Sequence, residues 1–128
     1  MALARAADAM LRALGGQEIT LLFPAIPLPD DSAAQLGLAD PGVEEVKLAP
    51  VILRNLPFNG GETRRRIEFL MPAQAIAEKM EVRQAATAQA FFEAALGIVH
   101  ESLLLRIEKI SAEFFAGTAY LYRVTAVE

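Results

Sequence analysis

Two runs near the end of the chain decide the fold: Leu103-Leu104-Leu105-Arg106-Ile107-Glu108-Lys109-Ile110 and Thr118-Ala119-Tyr120-Leu121-Tyr122-Arg123-Val124-Thr125-Ala126-Val127. Both are rich in branched and aromatic side chains, which suit a pleated, half-buried surface. In the first run Leu103, Leu105 and Ile107 fall on one face, and Arg106 and Glu108 fall on the other, because successive side chains of a strand point oppositely. The first run is therefore predicted to be a strand with one buried face.

The connector between the two runs is predicted to reverse the chain; it reads Ser111-Ala112-Glu113-Phe114-Phe115-Ala116-Gly117. Gly117 can take a positive φ that costs other residues energy. We therefore expect an antiparallel pair of strands, within a sheet onto which the rest of the chain packs.

The composition favours a single domain over residues 1–128, long enough to bury a sizeable core. The absence of cysteine excludes disulfides and thiolate zinc sites, and the net charge of -4 argues against a protein whose main task is to grip nucleic-acid phosphates. Hydrophobic residues make up 54% of the chain, yet no apolar stretch reaches the ~18 to 20 residues of a spanning helix. We expect no membrane segment, no secretory signal, and an apolar excess that lies in contact surfaces.

The first part of the chain predicts a helix followed directly by a strand. Residues 2–14 carry an apolar face at spacings of three and four, which Gly15-Gly16 then ends. Within residues 17–23, apolar side chains at every second position stand against Glu18 and Thr20, which is typical of a half-buried strand. The apolar face of the helix consists of Leu3, Ala7, Met10, Leu11 and Leu14, and that of the strand of Ile19, Leu21 and Phe23.

Residues 24–42 form an irregular, proline-rich segment with an acidic turn at Asp30-Asp31-Ser32. A loop of this length is uncommon in a small domain and is usually functional or mobile. Two interpretations stay open, an arm or binding loop and a surface excursion without a role. In the first, the candidate interface residues are Pro27, Pro29, Asp30 and Asp31.

The middle of the chain predicts a hairpin. Residues 43–54 have a strand pattern interrupted by Pro50, which cannot donate to a ladder and so belongs at an edge or a bulge. Asn59-Gly60 favours a type I′ turn. Residues 64–71 then return as a strand with Arg65, Ile67, Phe69 and Met71 on one face.

Residues 72–96 form an alanine-rich helical block. Pro72 suits the first position of a helix, residues 73–80 are good helix formers, and residues 83–96 carry a stripe that includes Phe91 and Phe92. One bent helix and two helices are both compatible with this pattern. The predicted class is α+β: a mostly antiparallel sheet or small open β-barrel, covered by the N-terminal helix and this block.

No catalytic, cofactor or metal residues are predicted. His100-Glu101-Ser102 places three catalytic residue types in a row, but consecutive residues point apart and cannot form a relay. A rival enzyme hypothesis requires a deep pocket with a strongly perturbed acid such as Glu68, Glu93 or Glu108. A ligand-carrying adaptor would instead need an enclosed apolar cavity.

Four further residues are candidates for an interface. Arg64 and Arg66 share one strand face and could meet an acidic partner, although a solvated edge also explains them. Tyr120 and Tyr122 share a face with Val124, and no basic groove accompanies them, so core or interface packing is favoured over stacking on nucleic-acid bases.

The two C-terminal runs resemble the C-terminal strands of small tailed-phage and prophage head-to-tail joining proteins, the stopper or neck connectors. The helix at residues 2–14 followed by a strand is similar to the N-terminal part of that group. The helical block at residues 72–96 is longer than in the family. The resemblance implies a structural subunit without chemistry, in the bacterial cytoplasm or the phage particle, whose partners are other copies and neighbouring neck or tail proteins.

Assembly is also expected from the strand edges. A sheet that contains a proline-interrupted strand and a C-terminal strand is predicted to leave open edges, which proteins cover, charge or pair. Residues 24–42 could cover such an edge in the same subunit or in a neighbour.

Overall fold

The computed structural model describes residues 2–25, 42–57 and 64–128. These residues form three helices and six strands. The helices are α1 (Ala2–Ala13), α2 (Ala73–Val82) and α3 (Ala88–Ala94). The strands are β1 (Gln17–Pro24), β2 (Val43–Leu56), β3 (Arg66–Pro72), β4 (Gly97–His100), β5 (Leu103–Phe115) and β6 (Thr118–Val127).

The strands form a closed antiparallel barrel in the order β1-β2-β3-β6-β5-β4. The short strand β4 closes it, because it pairs with β1 through Gly97–Val99 and with β5 through Ile98–His100. The predicted α+β class with an antiparallel sheet or small barrel is confirmed, and the barrel is closed rather than open. Its interior is apolar and filled, chiefly by alternate side chains of the strands.

Strand β2 pairs with two neighbouring strands. Its residues 43–48 pair with β1 and its residues 52–56 pair with β3. Pro50 lies between these parts, where the register against β1 shifts, so the bulge predicted for this proline is found. The bulge also explains Gly16, because a Cβ there would lie 2.6 Å from the Cβ of Pro50.

One end of the barrel is filled by aromatic side chains from α3. Phe91 and Phe92 are 1% exposed, and Phe91 lies 5.1 Å from Phe23 between ring centroids. Phe92 contacts the ring of Tyr122 edge-on at 6.3 Å. Ile76 of α2 joins the same core, at the end of the barrel where β3 finishes and β4 begins.

The helical block consists of two separate helices, which settles the alternative that the sequence left open. Gln84 takes a positive φ of 57° between them, and the Thr87 hydroxyl caps α3 by accepting a hydrogen bond from the Ala90 amide at 3.0 Å. Pro72 ends β3 with an extended backbone, so its predicted place as the first helical residue is wrong by one position. The second helix ends before residue 96 because the backbone at Ala95 is extended, and the Leu96 amide donates to the Leu22 carbonyl at 2.7 Å.

Helix α1 lies against β2, β3, β6 and α2. Ala7 and Leu11 are buried, but Met10 is 56% exposed and Leu14 is 68% exposed. The buried face of α1 is therefore narrower than the predicted apolar face, which included Met10 and Leu14. The helix ends at Ala13, so Leu14 lies beyond it.

The final hairpin is confirmed with a shorter turn than predicted. β5 continues through Phe115, so residues 111–115 are strand and not connector. The turn is Ala116-Gly117 alone, with φ values of 52° and 80°, as a type I′ turn requires. Leu103, expected on the buried face, is 42% exposed because it directly follows the tight turn at Glu101-Ser102.

The predicted β2–β3 hairpin is also present, with Leu56 opposite Arg66, and β3 begins at Arg66 rather than at residue 64. Its inward residues Ile67, Phe69 and Met71 are buried as predicted. The Asn59-Gly60 turn and the larger part of the segment at residues 24–42 lie outside the described residues.

Candidate assembly surface

Within the described residues, most of strand β5 has a strand partner on one side only. It pairs with β6 along residues 106–115, but its other side pairs with β4 only through Leu103–Leu105. Residues 106–115 therefore present an open strand edge within the described ranges. The expected open edge is not found along residues 121–127 of β6, which pair with both β3 and β5. β2 pairs with β1 through residues 43–48 and Val51 and with β3 through residues 52–56, so each part of it has a strand on one side.

The open edge ends in two exposed aromatic side chains. Phe114 is 65% exposed and Phe115 is 62% exposed, and they directly precede the Ala116-Gly117 turn. Adjacent strand residues point to opposite faces, so the tip of the hairpin is apolar on both faces. Contact with another surface would remove a large apolar area from water, which is favourable.

The outer face of the barrel next to this edge carries a row of alternating charges. Glu68 lies 3.1 Å from Arg54 and 3.4 Å from Arg123, and Arg123 also contacts Glu113 at 3.0 Å. The row runs across β2, β3, β6 and β5. Lys109 of β5 makes no ion pair in the part of the chain that the structure describes.

Arg66 bridges β3 to β5 over the same face. Its Nε donates to Glu108 Oε2 at 2.9 Å, and its Nη2 lies 3.3 Å from Glu108 Oε1. This hydrogen bond holds the pKa of the Glu108 carboxyl below its ordinary value. A lowered pKa is the opposite of what a general acid needs, so Glu108 does not fit the rival enzyme hypothesis.

Four of the predicted interface residues lie within the described ranges, and these four do not form one surface. Arg66 is paired within its own chain, whereas Arg64 is exposed. Tyr122 packs on Phe92, and burial raises the pKa of its hydroxyl, while Tyr120 is half-buried. Four further candidates lie outside the described residues, namely Pro27, Pro29, Asp30 and Asp31.

His100-Glu101-Ser102 forms a strand end and a turn. Glu101 and Ser102 take positive φ values of 51° and 65°, and the His100 ring packs edge-on against Phe69 at 6.4 Å. The remaining acids of the rival hypothesis also have neighbours, because Glu68 lies between two arginines and Glu93 accepts a hydrogen bond from Gln89 at 2.8 Å. The described residues contain no group of three or more His, Asp or Glu side chains placed to hold a metal ion.

Two depressions lie near the hairpin. A groove of about 490 Å³ runs between α2, the start of β6 and Arg5, and it has a mostly apolar lining that includes Ala77, Met80 and Tyr122. None of the described residues that line it is a carboxylate. A smaller cleft of about 300 Å³ separates α3 from the open edge at residues 106–110.

The sequence patterns missed the open edge and its aromatic tip, because Phe114 and Phe115 were assigned to a connector. The available signal was the two-residue Ala116-Gly117 turn, which is sufficient for a hairpin and would have extended the first strand to residue 115. Comparisons of the chain with protein-family models, with curated proteins and with solved structures give no match. None of the helices in the described ranges has the length and apolar character needed to cross a membrane.

Proposed function

We propose that this protein is a non-enzymatic structural subunit that helps to join head and tail in a phage or prophage particle. The observation that carries the structural role is the exposed pair Phe114 and Phe115 at the end of an open strand edge. A folded monomer rarely keeps such a patch in water, and patches of this kind typically mark contacts with other proteins.

The place in a phage neck rests on the resemblance of the C-terminal strands and of the N-terminal helix and strand. These segments correspond to β5, β6, α1 and β1. The proposed partners are further copies of the chain and adjacent neck or tail proteins. A ring of copies needs head-to-tail contacts that close, so the Phe114–Phe115 tip and the surface that receives it would differ.

The proposal is tested by deleting the gene in its host and inducing particle production. Filled heads and free tails that remain unjoined, seen by electron microscopy, are the expected result. Portal, capsid and tail genes beside this gene would support the proposal. A metabolic operon, or fully joined and infectious particles after deletion, would contradict it.

The aromatic tip is tested by complementing the deletion with variants. Phe114→Ser with Phe115→Ser is expected to leave the barrel folded but to abolish joining. The matched control is Met10→Ser with Leu14→Ser, which removes a similarly exposed apolar pair from α1. If both double variants restore joining, the tip is not the contact.

A second candidate is a ligand-binding adaptor, and the apolar groove beside α2 favours it. Arg5 at the rim of the groove would suit the carboxylate of an amphiphile such as laurate. Calorimetric titration with laurate should then show saturable binding that Ala77→Phe removes by filling the groove. Binding that is absent, or that Ala77→Phe leaves unchanged, would exclude this candidate.

A further inference from the structure

We propose that two copies of this chain pair antiparallel through their open β5 edges, with Ser111 facing Ser111 of the second copy. Strand addition at an open edge uses main-chain hydrogen bonds and flanking side chains. The contact is isologous and closes on itself. It therefore differs from the head-to-tail ring contacts of the proposed neck function, and the Phe114–Phe115 tip of one copy cannot serve both contacts at the same time.

The faces of β5 restrict the possible registers. Ile110 pairs with the buried Val124 and so points into the barrel, whereas Lys109 and Ser111 pair with Thr125 and Arg123 on the outer face. A two-fold axis perpendicular to the sheet keeps each face on its own side. Two residues that oppose one another across the dimer must then both point to the outer face or both point into the barrel. In this part of β5, that condition holds only if the axis passes through a residue and fails if it passes between two consecutive residues.

Charge then selects one of the remaining registers. With the axis at Ser111, Lys109 faces Glu113 of the second copy, and Glu113 faces Lys109 of the second copy. Opposite charges directly across two strands are stabilising. An axis at Ile110 places Glu113 opposite Ile107, and an axis at Ala112 places Lys109 opposite Phe115, so neither forms these pairs.

The same register places the aromatic tip on an apolar feature. Irregularities in β5 after Ile107 and after Glu113 end the regular register there, and the Phe114–Phe115 tip then extends toward residues 107–108 of the second copy, next to the cleft of about 300 Å³ between β5 and α3. That cleft is lined by Phe92 and by Leu96, which is 46% exposed. Burying the exposed parts of four phenyl rings would remove roughly 500 Å² of surface from water, and the paired strands would supply the rest of an interface near the lower limit of about 1,200 Å².

The opposing explanation is that Lys109 protects the edge, because charged residues on edge strands often prevent pairing. The two explanations predict different masses. Under edge pairing, sedimentation equilibrium of the 13.8 kDa chain shows a dimer with a dissociation constant below about 1 mM. A wild-type protein that is still monomeric at about 1 mM overturns the proposal.

Charge reversal tests the register. Lys109→Glu turns both cross-strand pairs into like-charge pairs and should weaken the dimer about tenfold or more. Glu113→Lys should weaken it as well. Lys79→Glu makes the same charge change on α2, away from the edge, and should leave the dimer unchanged. If Lys109→Glu associates as tightly as Lys79→Glu, the register is wrong.

Mixing the two weakened variants gives the sharpest result. In a mixed dimer of Lys109→Glu and Glu113→Lys, both cross-strand pairs again join opposite charges, so association should return to about the wild-type strength. A folding defect could not be repaired by mixing. If the mixture associates no better than either variant alone, edge pairing in this register is refuted.

The proposed dimer and the proposed neck function can be refuted independently of each other. A chain that dimerises through β5 while particles join normally without it refutes only the neck function. A chain that stays monomeric in solution yet is required to join heads to tails refutes only the edge pairing.

Discussion

Arg83 connects the end of α2 to two strands, and replacing it with alanine is expected to lower the free energy of unfolding by about 1.5 to 2.5 kcal/mol. Its side chain is 11% exposed, and its guanidinium carbon lies 4.1 Å from the centroid of the Phe23 ring. Its Nη2 donates to the Pro24 carbonyl at 3.4 Å, and its Nη1 lies 3.1 Å from Glu44 Oε2. The residue thus joins α2 to β1 and β2.

The ring contact provides most of this magnitude. A guanidinium over an aromatic face contributes about 1 to 2 kcal/mol when it is largely shielded from water. The Glu44 carboxylate is 46% exposed, so that ion pair contributes about 0.5 kcal/mol. The Nη1–Glu44 distance is that of an ion pair, but Nη1 makes no hydrogen bond among the described residues, which is why the ring contact has the larger weight.

Urea unfolding of a matched set of variants measures these contributions. Arg83→Lys keeps the charge but loses the planar stacking, so a cost of about 1 kcal/mol is expected. Glu44→Gln should cost about 0.5 kcal/mol, and Arg64→Ala, at an exposed arginine, should change stability by less than about 0.5 kcal/mol. The reasoning is refuted if Arg83→Ala is as stable as Arg64→Ala, or if Glu44→Gln costs as much as Arg83→Ala.

Four further changes have definite expected outcomes. Phe91→Ala should lower the free energy of unfolding, measured with urea, by about 3 to 5 kcal/mol, because it leaves a cavity in the core. A smaller loss than that of Phe91→Leu would contradict the tight packing of this ring. Gly97→Ala should cost about 1 to 3 kcal/mol, since its Cβ would overlap the Leu104 side chain and a carbonyl oxygen of β5; an unchanged melting curve would refute this. Ala116→Gly should stabilise by roughly 0.5 to 1 kcal/mol by relieving a positive φ at alanine, and any loss would refute the turn type. The hydrogen bond from Arg66 lowers the pKa of Glu108 in the folded protein, so the stabilisation from this bond is present above the ordinary pKa of 4.5 and is lost as pH falls through the folded pKa. Glu108→Gln should therefore flatten the acid limb of a curve of stability against pH, and parallel curves would exclude this.

The strand faces could be predicted because they depend on local alternation. Ile19, Leu21 and Phe23 in β1 are buried, and the residues between them are only partly buried, as the period of two requires. The same holds for Ile67 and Phe69 in β3. A buried face needs no knowledge of the neighbouring strand, so the class of fold followed from these patterns.

The short strand β4 could not be identified in the same way. It has four residues, too few to show alternation, and the turn after it is Glu101-Ser102, where both residues take a positive φ without glycine or asparagine. The usual turn signals are therefore absent. Without β4 the sequence predicts an open barrel, and with it the barrel closes.

The position of the open edge depends on pairing between distant parts of the chain. Pro50 suggested an edge for β2, but it lies at a register shift between the part of β2 that pairs with β1 and the part that pairs with β3. The edge arises instead from unequal lengths, because β5 has 13 residues and its neighbour β4 has 4. The excess of β5 is then the part that carries Lys109, Glu113 and the phenyl pair, so the position of the proposed contact surface depends on how the barrel closes and is not marked by any local pattern.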